Sequence, residues 1–96
     1  MSNTLFIKAL ITDAEGLIVK AKSEKGKAEC KKVYEVLRYS DPMSNDALAS
    51  VEGQLTVKFA ELSEAVKDDN SEKATAIAKE VITLIGDRNK KCKLLK

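Results

Sequence analysis

The feature that most constrains this chain is an apolar run in its second half. Leu48, Val51, Leu55, Phe59, Leu62 and Val66 follow one another at steps of three and four, the spacing that sets all six on one face of an α-helix. Ala74, Ile77, Ala78, Val81, Leu84 and Ile85 repeat the pattern. Between the runs lies Asp68-Asp69-Asn70-Ser71, whose side chains favour turns and helix caps. Two antiparallel helices joined by a tight turn follow, each with one stripe committed to a core.

The expected ends of this hairpin come from capping chemistry. Ser44 is placed as N-cap of the first helix, with Asp46 near the positive end of the dipole and Met43 and Leu48 closing a hydrophobic staple. Pro42 disfavours helix at Asp41. Ser71, or Asp69 with Glu72, is the expected cap of the second helix. The predicted spans are about 44–68 and 71–94.

From residue 3 to about 39 nearly every residue is a competent helix former and no proline intervenes. The apolar stripe changes phase along this stretch. Ile7, Leu10, Ile11, Ala14, Leu17, Ile18 and Ala21 define one face; Gly26, Cys30, Val33 and Leu37 define another, displaced by about one residue. The preferred reading is one long helix over 3–39, because a glycine costs only about 1 kcal/mol inside a helix. The fold class is then all-α, an antiparallel three-helix bundle. The alternative is a four-helix bundle with a break near residues 23–26.

A continuous first helix would be roughly 54 Å long against about 36 Å for each hairpin helix. Its N-terminal end would overhang the hairpin and leave Leu5, Phe6, Ile7, Leu10 and Ile11 uncovered, a patch of the kind that marks a protein contact. Pairing this helix with the next about the corner at 40–43 sets Lys31 level with Glu52, Lys22 with Glu61 and Cys30 with Gly53.

Chemistry is narrowed by what the chain lacks. With no histidine, histidine phosphotransfer, Ser-His triads and His-ligated zinc are excluded. Two cysteines, Cys30 and Cys92, are too few for structural zinc and lack Cys-x-x-Cys spacing; Cys30 reads as core and Cys92 as a thiol in the tail. The carboxylates Glu61 and Glu64, and Asp68 and Asp69, read as a solvated face and a turn. No glycine-rich phosphate loop is present, the glycines standing singly at 16, 26, 53 and 86. No metal or cofactor is expected, and no catalytic residues are assigned.

Charge is uneven: residues 87–96 hold five cations and one carboxylate, whereas residues 40–86 hold four cations and nine carboxylates. Arg88, Lys90, Lys91, Lys93 and Lys96 are candidate phosphate contacts, although cations at a helix C-terminus also complement its dipole. Lys8, Asp13 and Glu15 interrupt the apolar start, so neither a membrane span nor a secretory signal is expected, and a cytoplasmic setting follows. The expectation is one helical domain, 1–96, with a basic tail. It acts as a non-enzymatic interaction or assembly module through the N-terminal apolar face, forming a homo-oligomer or docking a protein partner. The alternative is a nucleic-acid-associated protein working through its tail.

Overall fold

The computed structural model describes residues 4–95. The protein is an all-α bundle measuring 39 × 19 × 17 Å. Its α-helices are α1 (Leu5–Lys20), α2 (Glu24–Arg38), α3 (Ala49–Lys67) and α4 (Ser71–Leu94), with a short 3-10 turn at Asp46–Leu48 leading into α3. No strand occurs among the described residues.

The stretch expected as one helix is interrupted at residues 21–23. Ala21 and Ser23 adopt extended backbone, with ψ of 130° and 152°. The interruption satisfies its own backbone. Ser23 Oγ accepts from Gly26 N at 2.9 Å and so caps α2, while Lys27 Nζ donates to the carbonyl of Ile18 at 3.0 Å, one of the orphaned groups at the end of α1. The phase shift in the sequence explains why the break is favoured. A straight helix cannot turn both stripes to one core, whereas a fold-back buries Ile7, Leu10, Ala14, Leu17 and Ala21 together with Cys30, Val33 and Leu37. The overhang inferred from a long helix disappears with it.

The second half follows its periodicity closely. All six residues of the α3 stripe are buried, as are Ala74, Ile77, Ala78, Val81 and Ile85 of α4. The turn between them is a Schellman motif. Asn70 N donates to Ala65 O and Asp69 N to Val66 O, with Asp69 in the left-handed region at φ 54°. The caps differ from those read in the sequence. Asn70, whose side chain accepts from Lys73 N, caps α4 in place of Ser71 or Asp69. Asn45 caps the 3-10 turn, and Ser44 instead donates its hydroxyl to Glu52.

The chain is two antiparallel hairpins laid side by side. α2 packs on α4, and α1 meets α3 more loosely. Because Ser40, just past the end of α2, bonds Asn89 near the end of α4, these two helices run parallel, and so do α1 and α3. The neighbour of α2 is therefore α4, which removes the inferred pairing of the first and second helical stretches. Glu52 pairs with Arg88, and Glu61 with Lys58, rather than with Lys31 and Lys22. Gly53 is exposed, with nothing near its missing side chain.

Candidate assembly surface

The corner between the hairpins is built around a buried cation. Arg88 is completely buried, and its Nε donates to Glu52 Oε2 at 2.9 Å. Its Nη1 donates to the carbonyl of Asp41 at 2.8 Å and its Nη2 to that of Met43 at 2.7 Å. Ser44 holds the other carboxylate oxygen of Glu52, and Asn89 Nδ2 donates to Ser40 Oγ at 3.0 Å. A planar guanidinium with five donors suits this task, since it satisfies a carboxylate and two loop carbonyls at once. The arrangement is a strap that fixes 40–44 to both α3 and α4.

This overturns one reading of the tail. Arg88 is no surface cation and is not available to a phosphate. Lys90, Lys91 and Lys93 are exposed, and Lys96 lies outside the described residues. Cys92 is buried at 5% exposure against Leu48 and Val51, its Sγ 3.9 Å from Met43 O, so it belongs to a small second core rather than to a free tail. Both cysteines are reduced and enclosed. Burial, with the Glu29 carboxylate beside it, raises the Cys30 thiol pKa above its ordinary value and keeps it protonated.

The residues assigned to the N-terminal contact face separate into two groups. Ile7 is fully buried and Leu10 is 6% exposed, and both belong to the core, with Phe6 and Ile11 half-buried against it. Leu5 alone points outward, at 77% exposure. The fold-back covered the others, because α2 lies alongside α1 and gives it the partner that a protruding helix would have lacked.

A different apolar line faces solvent. Leu5, Ala9, Thr12, Gly16 and Val19 are spaced by four, three, four and three, the interval of a heptad seam. All but the half-buried Gly16 are exposed, Val19 at 80%. Thr12 donates its hydroxyl back to Lys8 O at 3.2 Å, so its polar atom is satisfied within the helix and its methyl can serve as apolar surface. Gly16 has nothing within 4 Å of where a Cβ would stand. Ala9, Thr12 and Gly16 of this line also form one wall of a groove of about 550 Å³, opened by the loose meeting of α1 and α3 and closed on the other side by Phe59, Ala60 and Ser63.

No cluster of three potential metal-ligating side chains occurs among the described residues, and no helix there is long and apolar enough to cross a membrane. Compared with protein-family models, curated proteins and solved structures, the chain finds no match in any of the three. Sequence reading missed the Arg88–Glu52 pair, although a signal was present. Glu52 falls in the α3 stripe between Leu48 and Leu55, and Arg88 extends the α4 stripe from Ile85 toward Cys92. Two opposite charges in core phase on neighbouring helices are the mark of an internal ion pair.

Proposed function

We propose that this protein is a small non-enzymatic assembly module that associates with another helix, that of a second copy, through the solvent face of α1. The observation that carries this reading is the double-sided character of α1. One face is fully used in the core, and the other keeps Leu5 and Val19 more than three-quarters exposed on a heptad line. Exposed apolar side chains are ordinary singly, but a heptad line of them along one helix is the geometry of helix pairing.

Sedimentation equilibrium from micromolar to near-millimolar concentration tests it. A reversible oligomer is expected, and Val19→Glu, at a site with no packing role in the protomer, is expected to yield a monomer of unchanged helicity. A wild-type chain that stays monomeric throughout, or an oligomer indifferent to Val19→Glu, refutes the reading.

A further inference from the structure

The charges flanking the exposed line of α1 specify how a second copy seats on it. On one flank stand Lys8 and Glu15, and on the other Asp13 and Lys20. All four are exposed, and none forms an ion pair with another described residue of its own protomer. Their spacing accounts for this. Lys8 and Asp13, like Glu15 and Lys20, are five residues apart, and helix neighbours on one surface are three or four apart. Within one helix the pairs lie on opposite sides of the seam.

We infer that α1 forms a parallel, in-register two-stranded seam with α1 of a second copy, with Lys8 facing the partner's Asp13 and Glu15 facing the partner's Lys20. The inference rests on the assembly reading above and adds the orientation and the contacts. In heptad terms Leu5, Ala9, Thr12, Gly16 and Val19 take the seam positions. Lys8 and Glu15 precede a seam residue by one, and Asp13 and Lys20 follow one. Across a parallel pair, a side chain in the preceding position reaches the following position five residues on in the partner, and charge at these places sets orientation and partner choice. Both such contacts are attractive here, and the twofold axis repeats them, so all four flanking contacts join opposite charges.

Antiparallel seating has two registers that each engage four seam residues. With Ala9 against Val19 and Thr12 against Gly16, Asp13 meets the partner's Asp13 and Glu15 the partner's Glu15, and like charges disfavour it. With Leu5 against Gly16 and Ala9 against Thr12, only Lys8 and the partner's Glu15 are matched, two attractive contacts where the parallel seam has four. Ala9, Thr12 and Gly16 at the centre allow the two backbones to approach closely, and Leu5 and Val19 close the ends. Ala9, Thr12 and Gly16 also line the groove between α1 and α3, so Thr56 and Ala60 of α3 border the contact.

Charge reversal on one flank at a time tests the orientation. Lys8→Glu with Glu15→Lys, and separately Asp13→Lys with Lys20→Glu, each turn all four contacts repulsive while leaving net charge unchanged. Each double variant alone is expected to weaken self-association about tenfold or more. An equimolar mixture of the two restores every contact as an attraction, so a heterodimer of near wild-type affinity is expected. The chain carrying all four reversals is also expected to dimerise, which controls for damage to the fold. If the double variants associate as tightly as the wild type, or their mixture is no tighter than either alone, the parallel seam is overturned while self-association stands. A wild-type chain that is monomeric, or whose oligomer ignores Val19→Glu, removes the assembly reading itself.

Discussion

Arg88 Nε lies 2.9 Å from Glu52 Oε2 with the whole arginine side chain out of solvent, so one buried cation joins the middle of α4's last turns to the start of α3. Burying both ions is costly, and attraction compensates only when every donor and acceptor is used. Every nitrogen and oxygen of the pair has a partner, because Nη1 and Nη2 reach Asp41 O and Met43 O and Ser44 takes the second carboxylate oxygen. No buried side-chain nitrogen or oxygen lacks a partner among the described residues.

Removing one member should therefore cost far more than the pair contributes. Glu52→Ala leaves the guanidinium buried without its counter-charge and is expected to lower unfolding free energy by about 3–5 kcal/mol. Replacing both residues together, Glu52→Leu with Arg88→Met, is expected to be milder than the sum of the single changes. Urea denaturation of the wild type, Glu52→Leu, Arg88→Met and the double variant measures the coupling; strict additivity contradicts this account.

The glycines give a prediction whose sign depends on position. Gly53 and Gly86 sit within helices with nothing near an added Cβ, so Gly53→Ala and Gly86→Ala should each stabilise by about 0.5–1 kcal/mol through helix propensity. At Gly26 an added Cβ would stand 2.9 Å from Ser23 Oγ, the atom that caps α2. Moving that hydroxyl aside forfeits a cap worth about 1 kcal/mol, which cancels the gain. Thermal unfolding of the three alanine variants should show two increases and one null result.

Asn70 should behave as a cap and Asp69 as a strained left-handed residue. Asn70→Ala removes the bond to Lys73 N and is expected to cost about 0.5–2 kcal/mol. Asp69→Val is expected to destabilise because a branched side chain resists φ near 54°, whereas Asp69→Gly is tolerated. Equal tolerance of valine and glycine would count against the Schellman geometry.

Stability should fall in alkaline solution through Cys30. Burial raises its thiol pKa in the folded chain, so at low pH the group is neutral in both states and contributes no pH dependence. As pH rises past the unfolded value, about 8.5, the unfolded chain releases a proton that the folded chain retains, and unfolding becomes more favourable. Cys30→Ala should flatten this decline relative to wild type, whatever it does to absolute stability. An unchanged slope between pH 8 and pH 10, set beside the about 8.5 of a free thiol, would show that the thiol is not shielded.

Legibility in the sequence tracked how many physical signals agreed. The stripes of α3 and α4 were readable because periodicity, turn chemistry and length all pointed the same way, and every α3 stripe residue is buried. The first 39 residues were ambiguous because the stripe slips phase near Ala21 while helix propensity does not. Propensity argued for continuity, yet burying both stripes favours the fold-back. That choice reversed the face of α1 assigned to a partner, turning Ile7 and Leu10 inward. The outward line from Leu5 to Val19 was present as a pattern, but α1 is apolar on two sides, and sequence alone does not rank them.

What the sequence determined by itself is the all-α class, the hairpin of α3 and α4, and the lack of any histidine among its 96 residues. All three follow from local periodicity and composition. The tertiary structure alone decided which helices are neighbours, which face of α1 meets solvent, and that Arg88 is buried. These depend on contacts between residues far apart in the chain, such as Arg88 with Asp41, Met43 and Glu52. No local preference of an arginine near a helix end distinguishes a solvated cation from one enclosed by a loop that arrives from elsewhere.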